Sequence, residues 1–252
     1  EANKKELLKN RVIYHKKLIV HPLFKNITFE EAESILYKEQ NDCIIRPSSK
    51  GVDHLGVSIR IADGIVYHAD VREEDKPNDF SLGKKLWIDG ECYEDLDEIH
   101  ARYVVPFLSY FKQLFNHKCY FFAPESDTYA CERELKKRFD VNCKRIHYLV
   151  SLSVFYPGKI YLAFLFKSLV KIEYITVTNH GYRIQNTMFD DIDSVICWFK
   201  NRKDPVNPQQ SASYTPHYDK YGHTTPNYPQ SRSSSNVHST HHRSPIVKNW
   251  DR

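Results

Sequence analysis

A short pattern occurs twice in this chain of 252 residues, and it constrains the fold more than any other feature. Residues 93–99 and residues 189–195 share the order aromatic, acid, Asp, apolar, Asp, and each copy is followed by a further aromatic side chain, Tyr103 or Phe199. The two copies lie 96 residues apart, about the length of a small domain. The repeat therefore predicts that most of the chain is a tandem of one fold.

The first copy begins with a predicted helix and continues with predicted strands. Thr28 and Glu31 have the spacing of a helix capping box, and the apolar run that starts at residues 43–45 predicts a buried strand. Apolar and polar residues alternate over 55–61 and again over 65–72, on either side of an Asp-Gly step that is typical of a hairpin turn. These patterns predict an antiparallel sheet.

A second helix closes the first copy. Residues 86–88 predict a further short strand, and Asp95 opens a stretch with helical spacing of apolar residues. Pro106 is expected to kink or end that helix. In the second copy the same order is predicted, with a helix over 132–139, strands over 146–154, 159–166 and 171–178, and a turn at 179–181. The fold class is α+β, two similar domains each with a central antiparallel sheet flanked by two helices.

Composition separates these domains from the ends of the chain. Residues 204–252 contain 6 of the 12 Pro, 8 Ser and no Leu or Phe, a composition that predicts a disordered tail rich in Ser, Pro, His and Tyr. The predicted organisation is an N-terminal extension over 1–20, expected to be helical, a first domain over 21–118, and a second over 119–203.

The sequence lacks the patterns that would indicate a disulfide-rich protein, a membrane protein or a common class of enzyme. The six cysteines contain no C-x-x-C pair, which indicates reduced thiols in an intracellular protein. The longest apolar run, residues 160–166, is too short to cross a membrane, and the chain starts without the apolar segment of a signal peptide. Neither a P-loop nor a hydrolase motif is present, so we expect a protein that is not an enzyme and needs no cofactor or metal.

Arg46 is the residue that most demands a functional explanation, because it ends an apolar strand and arginine is rarely buried without an anion. One interpretation is an internal salt bridge. The other is a phosphate site, in which Arg46 binds two phosphate oxygens while Ser48, Ser49 and Lys50 supply hydroxyls, backbone N–H groups and a second cation. His68 and Arg72, on a neighbouring strand, are predicted to face the same side.

The string Ile44-Ile45-Arg46-Pro47-Ser48-Ser49-Lys50 resembles the Arg-x-Ser-Ser signature of Src-homology-2 (SH2) domains, whose fold has the predicted order of elements. The tandem over 21–203 is similar to the tandem SH2 module of a family of nuclear transcription elongation factors that are also histone chaperones. This resemblance implies a nuclear, monomeric phosphopeptide-binding module within a larger protein. The implied partner is the phosphorylated largest subunit of RNA polymerase II, bound in its linker or C-terminal repeat region, with no need for membrane or nucleic acid.

The resemblance also implies roles for individual residues. Arg46 matches the phosphate-binding arginine of the family and His68 its pocket histidine, with the hydroxyls of Ser48 and Ser49 in the loop. Two departures stand out, because Phe29 occupies the place of a first-helix arginine and Asp70 that of a basic residue after the histidine. Loss of both cations predicts that the first pocket accepts phosphothreonine or phosphoserine.

The second copy has no arginine at the matching strand, where residues 148–153 read Tyr-Leu-Val-Ser-Leu-Ser, so its pocket is expected to be degenerate. Lys144, Arg145 and Lys200 are candidate phosphate contacts at its margin, and the alternative is that they are simply solvated surface cations. A nucleic-acid-binding module using surface cations and the basic tail is the alternative function. The small net charge of residues 1–203, +2, and the absence of a strand that carries a stripe of aromatic and basic residues argue against it.

Overall fold

The structure, a computed structural model, describes residues 15–39, 41–123, 128–141, 146–166 and 169–201. Its elements in the first half are helix α1 (Phe29–Lys38), strands β1 (Cys43–Pro47), β2 (His54–Ala62), β3 (Ile65–Glu74), β4 (Lys85–Ile88) and β5 (Glu91–Tyr93), helix α2 (Leu96–Ile99), a π-helical turn (His100–Val104) and helix α3 (Val105–Phe115). The second half has helix α4 (Thr128–Val141), strands β6 (Tyr148–Leu152), β7 (Lys159–Phe166), β8 (Leu169–Thr178), β9 (Gly181–Ile184) and β10 (Thr187–Phe189), and helix α5 (Ile192–Asn201).

The strands form two antiparallel sheets of five strands each, ordered β1 to β5 and β6 to β10. In the first sheet α1 covers one face through an apolar cluster that includes Leu36 and Ile44. The other face packs on the α2–α3 segment, where the rings of Tyr67 and Phe107 stack with centroids 5.0 Å apart. Helices lie on both faces, which explains why all five residues of β1 are buried. The predicted α+β class is confirmed.

Contacts at the start of each half repeat with the offset found in the sequence. His21 Nε2 lies 3.1 Å from Asp97 Oδ1, and His117 Nε2 lies 3.2 Å from Asp193 Oδ1. In both halves the other ring nitrogen accepts a hydrogen bond at 3.2 Å from the backbone N–H two residues further on. Each histidine therefore links the start of its half to a helix that follows the sheet of the same half, α2 in the first half and α5 in the second.

Pro106 does not end the helix; it lies in the first turn of α3, where a proline is tolerated. The chain passes through the π-helical turn His100–Val104 immediately before the proline and then continues as α3 to Phe115. Proline has no N–H to donate to the carbonyl of Arg102, four residues earlier. The Nδ2 atom of Asn179, from the second half, lies 3.5 Å from that carbonyl oxygen.

The two halves meet where α3 packs against β8 and β9. The hydroxyl of Tyr182 donates a 2.6 Å hydrogen bond to the backbone carbonyl of Tyr110, and His180 forms an ion pair with Glu91. Burial alone would raise the pKa of Glu91, but hydrogen bonds from His180, Tyr93 and Asn179 hold that pKa below its usual value. Polar as well as apolar contacts thus join the sheets.

The ends of the chain are only partly described. Residues 15–20 are not helical, so the helix predicted for the N-terminal extension is not found in the part the structure describes. That segment is anchored instead by Lys17, which is buried and paired with the equally buried Glu73. The predicted disordered tail lies outside the described residues. Within the described ranges, no helix is long and apolar enough to cross a membrane.

Candidate phosphate-binding site

Arg46 lies near the end of β1 on the sheet face that α1 covers, with only 8% of its surface exposed. Its Nε donates to the hydroxyl oxygen of Ser58 at 3.1 Å, and one terminal nitrogen donates to the carbonyl of Pro47, also at 3.1 Å. Both partners are neutral. In the part of the chain that the structure describes, no carboxylate comes within ion-pair distance of Arg46. An internal salt bridge therefore does not account for this buried charge.

Gly56 makes room for the guanidinium. This residue pairs with Arg46 across the β1–β2 ladder, so a side chain there would point at the arginine. A Cβ atom at Gly56 would lie 3.0 Å from Cζ and 3.1 Å from both terminal nitrogens. Because such contacts are closer than ordinary van der Waals packing, the guanidinium would have to move by a few tenths of an ångström to admit any side chain at this position.

A chain of hydrogen bonds extends from Arg46 across the sheet to helix α1. The Ser58 hydroxyl lies 2.9 Å from Nδ1 of His68, its partner on β3, and His68 Nε2 lies 3.0 Å from Oε1 of Glu33. Three strands and one helix thus contribute to a single network. His68, one of the residues predicted from the sequence, lies in it.

Phe29, the first residue of α1, closes the top of the site. The Arg46 guanidinium carbon lies 5.8 Å from the centroid of the Phe29 ring, a cation–π distance, and the His68 ring packs edge-on against the same phenyl at 6.0 Å. Burial lowers the pKa of Arg46, while the charges of Glu30 and Glu33 partly offset this. The arginine nevertheless stays protonated at neutral pH.

The residues of the loop after β1 do not all point into the site, as the sequence predicts they would. Ser48 is buried, and its hydroxyl oxygen accepts a 3.2 Å hydrogen bond from the backbone N–H of Lys50, whereas Ser49 is exposed. The ammonium of Lys50 lies 3.0 Å from Asp70, and His54 contacts the same carboxylate at 3.1 Å. The expected second cation is therefore paired with Asp70 at the edge of the site.

Arg72 is not brought to the site. Its guanidinium donates to Glu74 at 2.6 Å and lies 5.8 Å from a ring centroid of Trp87. Gly56, Ser58 and Glu33 were not singled out as site residues from the sequence. The alternation of β2 does place Gly56 and Ser58 on the polar face of the predicted strand, but nothing local marks Glu33, which reaches the site only through the packing of α1.

The matching position of the second sheet holds no charge. The bridges Phe24–Ile45 and Tyr120–Val150 align β1 with β6, so Ser151 stands where Arg46 stands in the first half. Opposite Ser151 is Tyr161 in place of Gly56, and its ring belongs to an apolar cluster with Cys131 and Ala163. The space that holds the guanidinium in the first half is filled by a tyrosine in the second.

Of the second-half candidates, the structure describes Lys200 alone. Its ammonium lies on the surface, 5.1 Å from the ring centroid of Tyr148. The hydrogen bond to Tyr148 raises the pKa of this lysine. Lys144 and Arg145 lie outside the described residues, so their relation to Lys200 stays a prediction.

The sequence of this chain is similar to a known protein family and to parts of several known proteins. Residues 1–202 match the sequence profile of the SH2 domain family. The chain is 40% identical to Drosophila melanogaster transcription elongation factor SPT6 over 209 residues, 81% of this chain and 11% of that protein. It is 33% identical to the Caenorhabditis elegans suppressor of Ty 6 homolog over 228 residues, 86% of this chain and 14% of that protein. The chain thus spans only a small part of the length of these relatives.

The solved structures that match this chain include tandem SH2 domains of Spt6 proteins. A tandem SH2 domain of transcription elongation factor Spt6 that binds the phosphorylated RNA polymerase II C-terminal repeat domain matches with a TM-score of 0.69 and 26% identity, over 73% of this chain and 94% of that one. The tandem SH2 domains of Antonospora locustae Spt6 match with a TM-score of 0.61 and 27% identity, over 75% and 99% of the two chains.

Proposed function

Because this chain belongs to the SH2 domain family, we propose that it binds phosphorylated peptides through the Arg46 pocket. The proposed partner is the phosphorylated largest subunit of RNA polymerase II, in its linker or C-terminal repeat region. One structural relative is named as binding the phosphorylated repeat domain. The module would act in the nucleus, as part of a larger elongation factor and histone chaperone, by binding and without catalysis.

The buried charge of Arg46 is the observation that carries this proposal. Leaving an arginine buried without an anion is costly, and its partners here are a hydroxyl and a backbone carbonyl. A bound phosphate would supply the missing negative charge and accept two parallel hydrogen bonds from the guanidinium. The pocket therefore favours a dianionic group over a neutral side chain.

The rim of the pocket supports phosphothreonine or phosphoserine as the ligand residue. Phe29 supplies an apolar ring where a cation would otherwise hold a phosphotyrosine, and Asp70 is paired with Lys50 at the edge. Neither Phe29 nor Asp70 supplies the positive charge that would hold the ring of a phosphotyrosine. Of the predicted contacts, Arg46 and Ser48 would make the deep ones, with Ser49 and Lys50 at the rim, and His68 would act from behind the pocket through Ser58.

The second domain, which we assign to residues 119–203, would contribute contacts at its surface. Its central position is filled by Tyr161, so any phosphate must be held at the margin, by Lys144, Arg145 and Lys200. A peptide that spans both domains, 21–118 and 119–203, would gain affinity because the second contact is intramolecular. Charge reversal at Lys144 and Lys200 should weaken a long, multiply phosphorylated peptide and leave a short one unaffected.

A phosphopeptide array that tiles the polymerase linker and repeats tests the proposal. We expect binding that depends on phosphorylation and falls by well over tenfold in Arg46→Ala, since a charged hydrogen bond contributes roughly 1.5–3 kcal/mol. Arg72→Ala is the matched control, because Arg72 carries the same charge on the same sheet but pairs with Glu74. Equal binding of phosphorylated and unphosphorylated peptides, or equal losses in the two variants, would refute the assignment.

A further inference from the structure

From the hydrogen bonds behind Arg46 we infer that Glu33 is a positioning residue of the phosphate site: it fixes the ring of His68, and through it Ser58, so that phosphate binding is accompanied by uptake of a proton on His68. This inference deepens the proposed function and rests on it for the identity of the ligand. It concerns Glu33 on helix α1, a residue for which the sequence patterns predict no role.

The directions of the hydrogen bonds follow from the groups involved. The Nε of Arg46 can only donate, so the Ser58 oxygen is the acceptor of that bond. At the far end, the carboxylate of Glu33 can only accept, so His68 Nε2 carries a hydrogen. In a neutral ring Nδ1 is then the acceptor, and Ser58 donates its hydroxyl hydrogen to it across 2.9 Å. Glu33 thereby selects the tautomer that orients the serine.

Phosphate binding changes what the serine hydroxyl does. A phosphate held by Arg46 offers oxygen acceptors beside Ser58, and the hydroxyl hydrogen can turn to one of them. Ser58 then becomes an acceptor toward His68, which requires a hydrogen on Nδ1 while Nε2 keeps its hydrogen for Glu33. The ring is then an imidazolium, stabilised by the Glu33 carboxylate on one side and by the phosphate charge on the other. One proton is taken from solvent, and no other bond is made or broken.

Other charged groups around His68 do not replace Glu33 in this role. From α1, Glu30 acts on Arg46 through its charge only and makes no hydrogen bond to the ring among the described contacts. From β1, Arg46 carries the opposing positive charge. On the same face, Lys50 and His54 are paired with Asp70, and Arg72 is paired with Glu74. Arg60 on β2 is the other charged group there, and the hydrogen bonds described for the His68 ring go to Ser58 and Glu33 instead.

Two explanations of Glu33 predict opposite effects on affinity. If its carboxylate were merely a negative charge beside the site, removing it would strengthen phosphate binding by reducing repulsion. If it positions His68, removing it weakens binding. Glu30→Ala is the matched control, because Glu30 lies on the same helix near Arg46 without contacting the ring. Alanine is well tolerated in helices, so both variants should fold.

The experiment compares wild type, Glu33→Ala, Glu33→Gln and Glu30→Ala by calorimetry at pH 7.5 in two buffers that differ in protonation enthalpy. The probes are the tightest phosphopeptide of the polymerase array and inorganic phosphate. We expect Glu33→Ala to lose roughly twofold to tenfold in affinity, the range of one hydrogen bond, and Glu33→Gln to recover part of it because its amide oxygen still accepts from Nε2–H. Wild type should take up as much as about one proton, and both Glu33 variants less.

Nitrogen-15 NMR of the His68 ring gives a second measurement that needs no ligand. Free wild type should carry its hydrogen on Nε2, and Glu33→Ala should show a mixture of tautomers. Unchanged or higher affinity in Glu33→Ala, no proton uptake by wild type, or an Nδ1–H ring in the free protein would each overturn the inference. Failure of the proposed function would look different: no polymerase peptide would bind in a phosphorylation-dependent way, while inorganic phosphate and the ring spectra would still test Glu33.

Discussion

Replacing Gly56 by alanine should disable the phosphate site while leaving the fold intact. The added Cβ would lie 3.0 Å from Cζ of Arg46 and 3.1 Å from its two terminal nitrogens. The guanidinium would have to retreat by a few tenths of an ångström to restore normal contact. Its hydrogen bonds to Ser58 and Pro47, both 3.1 Å long, would then stretch toward the limit at which they cease to contribute.

The size of the effect follows from the bonds that the displaced guanidinium can no longer make. Losing one charged hydrogen bond to phosphate costs roughly 1.5–3 kcal/mol, which corresponds to about a 10-fold to 150-fold loss of affinity. The fold should not suffer in proportion, because alanine is favoured over glycine inside a strand by about 0.5–1 kcal/mol, which offsets some of the strain. We therefore expect weak binding together with a melting temperature close to that of wild type.

Fluorescence anisotropy with a labelled phosphopeptide and calorimetric melting measure the two quantities. The control is a double-mutant cycle, in which Gly56→Ala is added to Arg46→Ala. If the alanine acts by displacing Arg46, it has no further effect once the arginine is gone. Wild-type affinity in Gly56→Ala, or the same loss in the Arg46→Ala background, would refute the reasoning.

Three further predictions concern the rest of the molecule. Lys17→Met should lower the free energy of unfolding by roughly 1–3 kcal/mol, because it removes the nearest cation from the buried Glu73 and leaves only the Lys76 ammonium, 3.7 Å away. Denaturant titration should show part of this recovered when Glu73→Leu is added. Glu91→Gln should cost about 1 kcal/mol at pH 7, since this ion pair is partly exposed. That difference should begin to shrink near pH 4.5, the ordinary carboxyl pKa, and be lost as the pH falls through the lowered pKa of Glu91 in the folded protein; melting curves from pH 7 to pH 3 would test this. Burial raises the pKa of Cys43 to about 12, so iodoacetamide at pH 8 should modify the exposed Cys92 and spare Cys43 in the native protein, as read by mass spectrometry.

Much of the architecture was predictable because it depends on local sequence patterns. The alternation of residues 55–61 and 65–72 corresponds to β2 and β3, and the capping box at Thr28 starts α1 as expected. The three-residue strands β5 and β10 were missed, since strands this short are defined by pairing with a neighbour and not by their own sequence.

The site was predictable only in part, for a similar reason. Arg46 stands out locally as a charge within an apolar strand, whereas its environment depends on contacts between distant elements. The pairing of Lys50 with Asp70 and the approach of Glu33 to His68 join residues 20 and 35 positions apart. The π-helical turn before Pro106 was not predictable either, because its geometry depends on the packing of the whole segment.

The contacts between the two sheets also determine whether another pair of halves could join in the same way. Its contacts run from the turn after β8, through Asn179 and His180, to Glu91 and to the carbonyl of Arg102 that Pro106 leaves without its helical donor. None of these groups recurs at the 96-residue offset, where the sequence has Gly83, Lys84, Thr187 and Arg202. The interface is heterologous, the kind that can otherwise propagate into open arrays. Among the described residues these contacts run one way, with acceptors in the first half and donors in the second, so the same joint cannot form between two first halves or between two second halves.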